Sequence, residues 1–198
     1  MPRPPWPLQP TVDVRDAHPE EFGQIGELRV AAYQADGFLA AASGYADTLR
    51  VLGMDGTGEI LAAVDDGQIL GTVMLVTWPH GGEVLRVPGE GEVRALAVAT
   101  AARGRGIGRA LLYAVMRRAA ARDVHELLLL TQPDMRAAQH LYAEAGFQRL
   151  PHRDYEYAPG HHLLAFGLPM ADGGPTDGSP TDGSPTDGST ADGGSAEG

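Results

Sequence analysis

Apolar residues recur along the chain in two rhythms, and the points where the rhythm changes mark the elements. Over residues 11–16, Val12 and Val14 alternate with polar neighbours, as one face of a short strand requires. From 19 to 33, Phe22, Ile25, Leu28 and Ala32 fall near helical spacing, with Pro19 placed for a first turn. Asp36-Gly37 breaks that pattern, and 38–52 reads as a second helix. Segments 59–64 and 68–77 read as strands joined by Asp65-Asp66-Gly67, a hairpin signal. A loop rich in Gly and Pro, 79–91, leads to a strand at 92–98. The plainest helix is 106–122, with Ile107, Leu111 and Val115 four residues apart and Arg109, Arg117 and Arg118 elsewhere on its surface. A strand at 126–131, a helix at 135–145 and strands near 148–150 and 163–168 close the series. The order βααβββαβαββ predicts one α/β domain over 11–170, a mixed central sheet of about seven strands flanked by four helices.

Composition changes this picture only at the ends. Residues 1–10 are Pro-rich and lack the apolar run of a signal peptide, so a cytoplasmic location is expected. In 171–198, Pro-Thr-Asp-Gly-Ser repeats three times from Pro175 to Ser189, with too few apolar side chains to offset ordering, and a disordered acidic tail is expected. The net charge of −11 over 198 residues falls to −5 once the six acids of that tail are set aside. A mildly acidic globule does not suit broad phosphate neutralisation, so no nucleic-acid partner is expected. No stretch is long and apolar enough for a membrane partner. The absence of cysteine excludes disulfides, thiolate metal sites and a cysteine nucleophile. The seven histidines show no ligand spacing, and no metal is expected.

Candidate chemistry concentrates in 92–112, EVRALAVATAARGRGIGRALL. A strand runs into a loop with Gly104, Gly106 and Gly108, and the loop opens a helix. Helix N-termini carry unpaired N–H groups and partial positive charge, and glycine lets an anion approach them closely. Arg103, Arg105 and Arg109 add side-chain charge. A pyrophosphate cradle follows. It is neither a Walker A loop, which needs Gly-Lys-Ser/Thr, nor a dinucleotide fingerprint, because its spacing is G-x-G-x-G. The loop alone also fits a plain turn with solvated arginines.

Arg103-Gly104-Arg105-Gly106-Ile107-Gly108, preceded by the strand end Leu96-Ala97-Val98, resembles the R/Q-x-x-G-x-G/A signature of the GNAT superfamily (GCN5-related N-acetyltransferases). A second segment, Ala138 to Phe147, is similar to that family's A-x-x-L-Y-x-x-x-G-F. The resemblance implies a GNAT fold over roughly 11–168 and acetyl-CoA between the strands at 92–98 and 126–131. Leu96, Ala97 and Val98 would hold the pantetheine arm and thioester. The backbone of Arg103, Gly104, Arg105, Gly106, Ile107, Gly108 and Arg109 would hold the pyrophosphate. One position departs: Met135 stands where the family often has a pantetheine-contacting Asn.

Acetyl transfer needs a neutral amine and a proton for the leaving thiolate. With no cysteine for an acetyl-enzyme, direct attack in a ternary complex is expected. Tyr142 shares a helix face with Ala138, Leu141 and Ala145 and so points inward; the resemblance implies that it protonates the CoA sulfur. Glu92 matches the strand glutamate that serves as base in one branch of the family. Simple alternation would put Glu92, Arg94 and Leu96 on one face, unless a bulge intervenes. Tyr33, Phe38 and Trp78 are the expected acceptor walls, for a small-molecule or protein amine. A homodimer is common among such proteins. A non-catalytic acyl-CoA-binding domain is the alternative.

Overall fold

Residues 12–39, 44–80, 82 and 84–170 are described by the structure, a computed structural model. The Pro-rich start and the repeat tail lie outside the described residues, as do 40–43 of the expected second helix. Among the described residues eight strands form the architecture: β1 (Asp13–Asp16), β2 (Glu59–Asp65), β3 (Gln68–Thr77), β4 (Glu90–Val98), β5 (Glu126–Thr131), β6 (Gln148–Arg149), β7 (Tyr155–Ala158) and β8 (His161–Pro169). Four helices accompany them: α1 (Phe22–Ala35), α2 (Tyr45–Val51), α3 (Ile107–Ala120) and α4 (Arg136–Glu144). The sheet order is β1-β2-β3-β4-β5-β8-β6, with β7 paired to β8 off that path. Every pairing is antiparallel except β4 with β5.

The expected order of elements is present, with two differences. The second helix is confined to Tyr45–Val51 because Gly44, at φ +61°, turns the chain immediately before it. The eighth strand, β7, forms a hairpin with β8 around Gly160, at φ +75°. Tyr155 and Tyr157 leave it exposed and weakly patterned, so its periodicity is poor.

Two apolar layers sandwich the sheet. On one face α3 and α4 bring Ile107, Leu111, Leu112, Val115 and Tyr142 against Leu61, Val73, Leu75, Val93, Leu127 and Leu129. On the other, Ile25 of α1 packs with Ile60, Ala62, Met74, Val76 and Leu128. Leu127, Leu128 and Leu129 are therefore buried from both sides, which is why their run is continuously apolar rather than alternating. At Gly26 the helices α1 and α2 meet with no room for a side chain, since a Cβ there would lie 2.4 Å from the Arg50 carbonyl oxygen. Among the described residues no helix is long and apolar enough to cross a membrane.

Candidate functional site

The site begins where two strands part. Parallel pairing of β4 with β5 runs from Glu90↔Glu126 to Val93↔Leu129 and goes no further. Beyond it β4 follows β3, while β5 follows β8 as far as Thr131↔Leu164. Ala95 sits at φ +48° where the β3 register slips between Thr72 and Met74, a bulge in β4. The bulge re-aims the strand. Val93, Leu96 and Val98 all join the α3 layer, so Leu96 lies on the opposite face from Glu92 and Arg94. Simple alternation would have put those three together. The parted strands leave the β5-side edge of residues 94–98 as backbone donors and acceptors for an extended ligand.

At the end of β4 the chain turns into the glycine loop. Gly104 and Gly106 both have φ +77°, with nothing within 4 Å of a built Cβ, so each supplies the left-handed turn and open space. Gly106 caps α3, and the first backbone helix bond is Ala110 N–H to the Gly106 carbonyl. The N–H groups of Ile107, Gly108 and Arg109 precede that bond, and the N-cap residue Gly106 has no side chain to cap them. They border a cavity of about 400 Å³ lined by Val98, Ala102, Arg103, Gly104, Gly106, Ile107, Gly108, Arg109 and Leu141. An apolar floor and a rim of helix N-terminal N–H groups fit the pyrophosphate of a CoA thioester.

Each of the loop arginines holds an acid in this structure. Arg103 grips Asp36 through two bonds of 2.6 and 2.9 Å, joining the loop to the end of α1. Arg105 bonds Asp65 at 2.6 Å, and Arg109 bonds Glu144 at 2.8 Å. Arg103 and Arg109 border the cavity; Arg105 is not among its lining residues.

Tyr142 links the two faces. Its ring packs in the α3 layer, with centroids 6.0 Å from Phe147 and 6.5 Å from Phe166. Yet it lies within electrostatic reach of Tyr33, which belongs to α1 on the other face. Burial pushes the Tyr142 hydroxyl well above the usual phenol range, so it stays protonated at neutral pH.

Glu92 is 2% exposed on the α1 face, its Oε1 3.7 Å from Arg94 Nε. Gly82 leaves the space its carboxylate fills, since a Cβ there would lie 1.1 Å from Oε2. Its neighbour Glu90 is also buried but is committed to structure, accepting the N–H groups of Arg86 and Val87 and the Arg153 guanidinium. Burial raises the Glu90 pKa, and those three donors outweigh it, holding the carboxyl below its usual range.

Of the expected acceptor walls, Tyr33 stacks tilted on Tyr45 at 6.3 Å. Phe38 lies alongside, its carbonyl accepting Gln132 Nε2 at 3.3 Å just beyond β5. Trp78 is elsewhere. It follows Thr77, which pairs with Gly91 at the start of β4, the end away from the opening, and it is 40% exposed. Arg29, Arg94 and Tyr45, none of them among the expected site residues, lie within electrostatic reach of Tyr33. Arg29 carried a readable signal, because a charged residue at i+4 from Ile25 interrupts the apolar stripe of α1.

The family model of the acetyltransferase (GNAT) family matches residues 16–147. The chain belongs to the GNAT acetyltransferase family. Among solved members, a GNAT acetyltransferase from Staphylococcus aureus Mu50 superimposes with TM-score 0.64 at 14% identity, covering 80% of this chain and 99% of that one. The PaiA N-acetyltransferase from Thermoplasma acidophilum, solved with coenzyme A, gives TM-score 0.63 at 12% identity, over 81% of this chain and 99% of that one. These share the fold. In sequence, a mycothiol acetyltransferase from Rhodococcus jostii (strain RHA1) is 36% identical over 97 residues, 49% of this chain. One from Arthrobacter sp. (strain FB24) is 35% identical over 106 residues, 53% of this chain. The chain spans only 30% and 31% of the length of these two relatives.

Proposed function

We propose that residues 11–170 form an acetyl-CoA-dependent N-acetyltransferase unit that transfers acetyl directly to an amine. The observation that carries this reading is the meeting of a ligand-sized cavity, rimmed by helix N-terminal N–H groups, with the freed edge of β4, beside the apolar layer that holds Tyr142. The names of the mycothiol acetyltransferase relatives support acetyl as the group moved. In this reading the N–H groups of Ile107, Gly108 and Arg109 hold the pyrophosphate, and the β4 edge at 96–98 holds the pantetheine amides.

Bound there, acetyl-CoA supplies an activated carbonyl. The amine nitrogen bonds the carbonyl carbon, the C–S bond breaks, and one proton passes in net from nitrogen to sulfur. Glu92, one residue before the opening, takes the amine proton directly or through one water. Tyr142 donates a hydrogen bond to the departing sulfur. Its raised pKa, set against about 8.5 for a free thiol, makes full transfer from the phenol uphill. The hydroxyl therefore steadies the thiolate until the released proton arrives.

Calorimetric titration with acetyl-CoA, on wild type and on Gly106→Trp, tests the reading. A tryptophan at that φ +77° position would fill open space at the rim of the cavity. Micromolar binding that the variant abolishes is the expected result. A folded wild type that binds no acetyl-CoA would end it.

A further inference from the structure

The described arginines of this domain are generously supplied with carboxylates. Arg103, Arg105, Arg109, Arg118, Arg122, Arg149 and Arg153 each hold at least one. Arg29 is different. It is 1% exposed on α1, and its Nη1 donates to the Leu52 carbonyl at 2.8 Å, which fixes the plane of the guanidinium between α1 and the end of α2. Among the described residues its Nε and Nη2 are buried with no hydrogen-bond partner. Those two nitrogens share one edge of the guanidinium, and their N–H bonds run parallel. That edge grips a carboxylate with two bonds at once.

The surroundings are phenolic and charged, with Arg94 Nε 3.7 Å from Glu92 Oε1. Arg94, Tyr33 and Tyr45 lie within electrostatic reach of Arg29, and Tyr33 lies within reach of Tyr142. Burial pushes the Arg29 pKa down to about 10, with Arg94 a further depressing influence, so the group is still charged at neutral pH. A buried charge with an unused two-donor edge is costly to the free protein and is repaid when an anion arrives. Its place on α1, within electrostatic reach of Tyr33, puts Arg29 on the side of the sheet opposite the cavity in the α3 face.

We propose that the acceptor amine carries a carboxylate, and that this carboxylate docks on the Nε/Nη2 edge of Arg29 with Arg94 adding to the field. The inference rests on the acetyltransferase reading and names its substrate class: an amino acid or a compound built like one. Such an acceptor meets the partly exposed rings of Tyr33 and Tyr45 first. With its carboxylate held on the α1 face, its amine is left to extend toward the gap between β4 and β5. An acidic protein would thereby accept a molecule whose net charge is close to zero, the ammonium offset by the carboxylate.

The test uses the full chain and matched acceptors: amino acids, their carboxamides, and the corresponding amines lacking the carboxyl group. CoA release is read with a thiol reagent, and thermal shift with CoA present is read against N-acetylamino acids and their amides. The carboxamide has the more readily deprotonated amine, so intrinsic reactivity favours it. A preference of tenfold or more in kcat/KM for the acid therefore runs against reactivity and supports the inference. The same holds for stabilisation by N-acetylamino acids but not by their amides. Arg29→Met should erase both preferences, and Arg29→Lys, which keeps the charge without the fork, should restore only part. Acetyl-CoA affinity measured on each variant reports that the fold survives. Dipeptides run beside free amino acids distinguish a carboxylate next to the amine from one at a peptide's far end. Equal rates for acid and amide, or a panel in which neither acids nor amides react or stabilise, would overturn the inference. Acetyl-CoA binding without acid preference overturns it alone, whereas loss of acetyl-CoA binding overturns the acetyltransferase reading beneath it.

Discussion

Replacing Tyr142 with Phe removes one oxygen from a ring that is 7% exposed and leaves its packing on Phe147 and Phe166 in place. Among the described residues that hydroxyl makes no hydrogen bond, so the fold forfeits none of the roughly 0.5–1.5 kcal/mol such a bond contributes. The melting temperature should stay within about 2 °C, given roughly 2–4 °C per kcal/mol for a domain of this size. Turnover should behave otherwise. A hydrogen-bond donor aimed at the charge developing on a leaving group is worth about 10²–10³ in rate, or roughly 3–4 kcal/mol. The chain has no cysteine, so a thiol reagent added to the reaction sees only the CoA released. Calorimetry on the same samples should give an unchanged acetyl-CoA affinity, because Tyr142 is not among the residues lining the pyrophosphate cavity. The raised pKa carries a sign as well. A hydroxyl held above its ordinary value of 10 remains a donor throughout the neutral and mildly alkaline range, so no loss of rate below about pH 10 should trace to it. A Y142F protein with kcat within threefold of wild type would refute the reasoning, as would an alkaline limb near pH 8–9 that disappears in the variant.

Two further outcomes follow from the fold. Gly26→Ala would set a Cβ 2.4 Å from the Arg50 carbonyl oxygen and 2.9 Å from its Cα; both obstacles are backbone, so overpacking of about 1–3 kcal/mol should exceed the ~1 kcal/mol gained in helix propensity. A thermal melt no lower than wild type would mean that α1 and α2 do not meet there. Glu21 accepts both terminal nitrogens of Arg15, at 2.7 and 2.8 Å, and the His18 N–H at 2.8 Å, which hold its carboxyl at about 2, below its usual 4.5. Because the folded pKa is depressed, its stabilisation is complete above about pH 4.5 and drains away as pH falls toward 2. Urea melts between pH 6 and pH 3 should show Glu21→Gln losing less stability than wild type, and parallel curves would contradict this.

Much of this protein was legible before any tertiary contact. Period and punctuation are local properties, so Ile107, Leu111 and Val115 announced α3, and Asp65-Asp66-Gly67 announced the β2–β3 turn with Gly67 at φ +75°. The glycine loop was equally plain, because an anion cradle at a helix start needs a particular run of residues and nothing from far along the chain. The membership in the GNAT family was readable from the same loop and the segment ending in Gly146-Phe147.

What tertiary structure decided is everything that depends on register across strands. The bulge at Ala95 moves Leu96 to the α3 face, and no residue type at that position announces it; pairing with Thr72 and Met74 creates it. Trp78 and Tyr33 look alike as aromatic residues at element ends. Only the β3–β4 register puts Trp78 at the far end of β4, and only the packing of α1 brings Tyr33 beside Arg94 and Tyr142. Glu90 and Glu92 are likewise indistinguishable in sequence, until Arg153, 63 residues away, occupies one of them. The unused edge of Arg29 is the extreme case, since a hydrogen bond left unmade is a property of the whole surrounding shell. Local pattern determines which elements form and where an anion can sit; which side chains face one another across a gap in the sheet is settled when strands pair and helices dock.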